Sequence, residues 1–191
     1  MKRLPRALDV EEVDRLLEAA VDPLTHALTA FLYGTGCRLS EALALTWADL
    51  DLEDRTARVK GKGGKERIVL FGAPVARELE ERRNGGGRVF EIGARAFQLR
   101  LAALGRRLGF RVTPHVMRHS FATHLILNGA DVRVVQELLG HARCDTTAIY
   151  ITISEPHLHE LAQTIWDARL RLRHPEMGQR LRRVAGGLAW R

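Results

Sequence analysis

The chain is 191 residues long, room for one sizeable hydrophobic core and too little for two full domains. Hydrophobic residues at 46% and charged residues at 28% exclude a disordered tail or a fibre. A net charge of +7 favours an acidic or phosphate-bearing partner.

The first helix is expected over residues 9–20, with Asp9 as its cap and Val13, Leu16 and Leu17 as its apolar stripe. A second, nearly all apolar helix runs from about Pro23 to Tyr33 and should be buried. Gly34 and Gly36 read as brackets of a tight turn, and a third helix follows from about Ser40 to Leu45. Trp47 and Leu50 then lead into a loop. Arg55–Val59 and Glu66–Leu70 read as two strands of a hairpin, tipped by Lys60-Gly61-Lys62-Gly63-Gly64-Lys65. Pro74–Arg83 reads as a helix ending in a glycine run, and Arg88–Phe90 as a short buried strand. Helical periodicity returns over Ala94–Leu108. Thr113-Pro114 is a helix start, and that helix should reach Leu127 before Asn128-Gly129 ends it. Asp131 caps another helix that stops at Gly140. Asp145 could cap a turn around Tyr150, and a last helix is expected from about Glu155 to Leu172. The tail beyond is rich in arginine.

Lysine stands only at Lys2, Lys60, Lys62 and Lys65, and every other basic residue is arginine, whose guanidinium matches phosphate oxygens in pairs. Two cysteines, Cys37 and Cys144, are too few for a disulfide scaffold and lack zinc-site spacing. No stretch approaches the roughly 18 apolar residues of a membrane span, and Met1–Asp9 has no signal-peptide core, so the cytoplasm is the expected compartment.

One polar cluster stands out. His115, Arg118 and His119 lie within two turns at the start of one helix, and a spacing of three puts His115 and Arg118 on a similar face. Two readings stand: a solvated surface pair, or a phosphate site made of helix terminus, imidazole and guanidinium. His141 follows Gly140, where a capping histidine is the plainer account. Tyr150 has apolar neighbours, for which a packed core tyrosine is the plainer account. Arg38 beside a glycine turn and Lys62 at a glycine-rich tip each fit either plain solvation or binding. The order of a nucleotide-binding P-loop is missing.

Taken together, these segments resemble the catalytic domain of the tyrosine recombinases, the phage integrase and Xer-type family. Thr35-Gly36-Cys37-Arg38-Leu39-Ser40-Glu41 is similar to the first arginine box of that family, and Gly61-Lys62-Gly63-Gly64-Lys65-Glu66-Arg67 to its lysine hairpin. Thr113-Pro114-His115-Val116-Met117-Arg118-His119 is similar to the His-x-x-Arg box. Leu138-Leu139-Gly140-His141 supplies the second histidine, and Thr146-Thr147-Ala148-Ile149-Tyr150 the nucleophile segment. Five boxes in family order outweigh the plain reading of each residue.

The resemblance implies a mixed α+β, mainly helical fold with a small antiparallel sheet or hairpin. It implies a catalytic domain over residues 1–173, including the last helix, and a basic tail over 174–191. The family's amino-terminal DNA-binding domain is not among these residues, which fits a fragment, a separately expressed domain or a minimal recombinase. The implied reaction is cleavage and rejoining of double-stranded DNA through a 3′-phosphotyrosine, with no metal or other cofactor. Tyr150 is the implied nucleophile. Arg38 and Arg118 would hold the phosphate oxygens, and Lys62 would protonate the 5′ oxygen. His115 would assist proton transfer and His141 would bond to the phosphate. Glu41 would support the arginine region, whereas Lys65, His119 and His124 match structural positions. The implied partners are DNA, further copies forming a tetramer on paired sites, and a related recombinase, with no membrane. Departures are the short segment from Leu70 to Arg111, Cys37 in place of a larger apolar residue, and Ile151-Thr152-Ile153 after Tyr150. The alternatives are a recombinase-derived regulator without catalysis and a DNA-relaxing enzyme of the type IB topoisomerase kind.

Overall fold

The computed structural model describes residues 6–61, 64, 66–83, 87–127, 129–130 and 132–140. Helix α1 spans Val10–Ala19 and begins with a reciprocal cap. The Glu12 amide donates to Asp9 at 2.7 Å, and the Asp9 amide donates to Glu12 at 3.0 Å. Helix α2, Pro23–Thr35, starts with proline in its first turn and Asp22 as cap. It therefore runs through Gly34, and the expected bracket at that glycine is not formed. A glycine inside a strongly apolar run costs a helix only about 1 kcal/mol, which burial of Phe31 and Leu32 outweighs. The chain turns at Gly36 alone, whose φ of 63° is the left-handed conformation that glycine adopts without strain.

Helix α3, Leu39–Ala44, leads into the stretch expected as a loop. It holds instead a 3₁₀ turn over Trp47–Asp49 and a two-residue strand β1, Leu50–Asp51. The Asp49 carboxylate accepts from the Thr46 amide at 2.9 Å, which closes that turn. Strands β2, Thr56–Lys60, and β3, Glu66–Leu70, complete an antiparallel sheet in the order β1-β2-β3. The hairpin pairs Val59 with Arg67 and Lys60 with Glu66, so residues 61–65 form its tip. The strand expected over Arg88–Phe90 is only a single bridge between Thr46 and Arg88. Its partner segment turns into the 3₁₀ helix at Trp47, which leaves no edge for a ladder.

Helices α4, Ala73–Glu81, α5, Ala94–Leu108, and α6, Pro114–Leu127, follow at the expected places. Helix α7 spans Val132–Leu139, and Gly140 beyond it has φ 66°. The chain divides into two compact units, Met1–Ala122 and Thr123–Arg191. In the first, Phe31 stacks obliquely on Phe71 and Phe90 at centroid distances of 5.7 and 5.4 Å. Val13, Leu16, Leu28, Val59, Val69, Leu79, Phe97 and Leu101 surround this centre. Helix α5 is pressed against the segment that follows it. A Cβ added at Gly105 would lie 2.6 Å from both the Phe110 carbonyl oxygen and Val112 Cγ1. Gly105→Ala should therefore cost about 1–3 kcal/mol in urea denaturation. Gly93→Ala, at the cap of α5 where the added Cβ meets nothing within 4 Å, should cost less, about 1 kcal/mol at most. In the second unit, Leu125, Ile126, Val135 and Leu139 are buried. The turn after Leu127 is closed by Gly129 and Ala130 amides donating to Ile126 and Leu125 carbonyls, both at 2.9 Å.

Candidate active site

The site grows from the turn between α2 and α3. The Gly36 amide donates to the Leu32 carbonyl at 3.0 Å, and the Cys37 amide to the Thr35 hydroxyl at 3.2 Å. Both buried donors are thereby satisfied, and the turn is rigid as it delivers Arg38 to the head of α3. Glu41, one turn later, reaches back. Its Oε2 accepts from the Arg38 amide and its Oε1 from Arg38 Nη1, each at 2.8 Å. The Arg38 side chain keeps 43% of its surface exposed, while Glu41 keeps 3%.

The left-handed turn leaves the Gly36 carbonyl to Arg118, whose Nη1 donates to it at 2.6 Å. Arg118 comes from the second turn of α6, which Thr113 caps by accepting from the Val116 amide at 3.2 Å. Ser120 on the same helix is buried, accepts from the Leu8 amide at 2.9 Å and donates to the Val116 carbonyl at 2.8 Å. This fixes α6 against the start of the chain and with it the rise of Arg118. Arg118 is 8% exposed. Burial, and then the like charge of Arg38, lower its guanidinium from 12.5 to about 10, while Glu41 opposes the shift. A buried cation disfavoured by its surroundings is stabilised by any anion that reaches it.

Sequence reasoning missed one member of this cluster, Arg67. Its Nη1 donates to Glu41 Oε1 at 3.0 Å and its Nη2 to Oε2 at 2.8 Å, a two-pronged pair. Glu41 is buried, which alone would raise its carboxyl. Hydrogen bonds from Arg67 and from the backbone and side chain of Arg38 outweigh this and hold it at about 2, against an ordinary 4.5. A carboxyl depressed in the folded state adds stability above pH 4.5 that disappears as pH falls towards 2. The parent should lose on the order of 3 kcal/mol through that window. In denaturant titrations at stepped pH, Glu41→Gln should lack this part of the slope.

The structure thus brings Arg38 and Arg118 together around Glu41, with Arg67 as a third cation. His115 is exposed in the first turn of α6, three residues before Arg118. Lys62, His141 and Tyr150 lie outside the described residues, as do Lys65, the turn at Asp145, the helix expected over 155–172 and the basic tail. His124 is buried and His119 half-buried. Cys37 is fully packed, and burial pushes its thiol up to about 12, so it serves as a small neutral filler. Among the described residues no group of three or more His, Cys, Asp or Glu side chains could hold a metal ion. Among the same residues no helix is long and apolar enough to cross a membrane.

The chain is 42% identical over 188 residues to "Tyrosine recombinase XerD" of Bifidobacterium longum (strain NCC 2705), covering 82% of this chain and 61% of that one. The chain spans about six tenths of the length of the first curated relatives it matches. The crystal structure of XerA recombinase superposes with a TM-score of 0.72 at 30% identity, over 85% of this chain and 64% of that one. The XerH site-specific recombinase, bound to a palindromic difH substrate as a post-cleavage complex, gives 0.70 at 29% identity, over 86% and 54%. The mainly helical body with its three-stranded sheet is therefore the tyrosine recombinase catalytic fold. The model of the phage integrase family matches residues 6–157. Since that match takes in both arginine boxes, the hairpin and the segment around Tyr150, the chain belongs to the phage integrase family of tyrosine recombinases.

Proposed function

We propose that this chain cuts and rejoins double-stranded DNA at specific sites through a tyrosine–phosphate link, as part of DNA recombination or integration. The supporting observation is the convergence of Arg38 and buried Arg118 on one turn, where Glu41 is, among the described residues, the carboxylate that pairs with Arg38 and Arg67. Such a cluster stays net positive and suits the two non-bridging oxygens of a phosphodiester. Tyr150 Oη attacks phosphorus, the bond to the 5′ oxygen breaks, and the 3′ phosphate stays on the tyrosine. Lys62 gives the departing 5′ oxygen its proton, and His115 assists removal of the phenolic proton. His141 donates to a phosphate oxygen. Attack by a 5′ hydroxyl of another strand reverses the step, so bond energy is conserved.

The arginines and lysine fill the electrostatic role that magnesium has in many phosphoryl-transfer enzymes. The reading is tested by trapping on a nicked suicide duplex in excess EDTA. A covalent protein–DNA band of undiminished yield is expected, and complete loss restored by one metal would overturn the metal-free mechanism. A two-site recombination assay beside plasmid relaxation separates recombinase from relaxing enzyme. The names of the relatives favour the former. The full set of six site residues disfavours a non-catalytic regulator. Double-stranded DNA, assembly into a tetramer on paired sites, and a cytoplasmic place of action complete the reading.

A further inference from the structure

Strand β3 alternates, and the side chains of Arg67 and Val69 share the face on which Val69 is buried, while Ile68 on the other face is 53% exposed. An arginine thus occupies an inward register position opposite fully buried Val59. It reaches across 26 residues to both oxygens of Glu41. Among the described residues, Arg38 commits to that carboxylate one side-chain nitrogen, Nη1, and its side chain remains nearly half exposed. Without Arg67, Glu41 would face Arg38 alone. The carboxylate could rotate to take both prongs of Arg38, turning it from the phosphate and cancelling its charge.

We propose that Arg67 is a positioning residue for the cleavage reaction: it saturates Glu41 from the hairpin side, so that Arg38 is held by one prong and presents the rest of its guanidinium to the scissile phosphate. This rests on the function proposed above. It also ties strand β3, which follows the hairpin tip, to the turn that carries Arg38.

The test compares the parent, Arg67→Lys and Arg67→Met in single-turnover cleavage of a suicide duplex at saturating protein. Arg67→Lys keeps the charge but loses the fork. It is expected to fold and to cleave on the order of 10- to 100-fold more slowly, because a small misplacement of a phosphate ligand has effects of that size. The same series is run on a duplex with a neutral methylphosphonate at the scissile position. The defect should shrink to within about threefold there, because charge on the phosphate is what Arg38 reads. A rate within threefold of the parent on the ordinary duplex overturns the proposal, and so does an equal loss on both duplexes. If Arg67→Met does not fold, Arg67→Lys alone decides. Rotation of the Arg38 guanidinium, followed by ¹⁵N NMR, needs no DNA. Rotation slower in Arg67→Lys than in the parent, as Glu41 takes both prongs of Arg38, supports the positioning, and equal or freer rotation in Arg67→Lys overturns it. A parent that cleaves neither duplex overturns the proposed function, and the NMR arm then still decides the role of Arg67.

Discussion

Tyr150→Phe is expected to leave binding to a DNA duplex within about twofold and to abolish the covalent complex. The phenolic oxygen is the proposed nucleophile, and a phenyl ring of the same shape offers no atom that can bond to phosphorus. The loss should be on the order of 10³-fold or more, down to the background of the gel. The chain contains two tyrosines, which makes the experiment clean. The other, Tyr33, packs against the core from α2, and burial raises its phenol above the ordinary range. It is therefore harder to ionise than a free phenol and belongs to the scaffold. The measurement is a denaturing gel of protein with a labelled suicide duplex, beside fluorescence anisotropy for binding. A covalent band that persists in Tyr150→Phe would remove Tyr150 from the mechanism and return it to the apolar setting of Ala148, Ile149 and Ile151.

What was legible in the sequence was what short-range spacing encodes. Asp9, Pro23 and Pro114 mark helix starts through caps and fixed φ, and the observed helices begin at Val10, Pro23 and Pro114. Arg38 and Glu41 lie three apart on one helix, and that spacing allows the contact they make. Gly34 misled because glycine punctuation was read without the burial that carries α2 past it. The segment over Arg88–Phe90 misled because a buried apolar triplet does not reveal whether a neighbouring edge is available. Arg67 escaped notice for a different reason. Its role depends on the hairpin register, which decides whether Arg67 or Ile68 turns inward. In Glu66-Arg67-Ile68-Val69-Leu70 the apolar residues run together, so alternation alone does not choose. A usable signal was present in the five-residue tip, since pairing Lys60 with Glu66 puts Arg67 opposite the inward Val59. Likewise the Gly36 carbonyl is a backbone group, and nothing in residue identity announces that it will receive Arg118 from 82 residues away.

Arg118→Ala is expected to slow single-turnover cleavage by about 10²- to 10³-fold while weakening duplex binding by less than about tenfold. The split follows from where the charge develops. A duplex is gripped through many phosphates, and loss of one contact removes only a fraction of that affinity. In the transition state the attacked phosphate gains charge on its non-bridging oxygens, and a preorganised buried donor is worth about 3–4 kcal/mol there. Arg118 is preorganised in this sense. Gly36 holds one prong at 2.6 Å, burial limits competing water, and the like charge of Arg38 disfavours the cation. The arriving phosphate relieves that penalty most when its negative charge is greatest. Arg118→Lys should recover part of the rate at most, since an ammonium cannot bond to the Gly36 carbonyl and present a flat fork to phosphate together. Arg100→Ala removes an exposed arginine that pairs with Asp22 at 2.7 Å, and should cleave at the parental rate. Cleavage by Arg118→Ala within threefold of the parent at saturating protein would mean that the buried guanidinium only braces the Gly36 turn, and the phosphate grip would have to be reassigned.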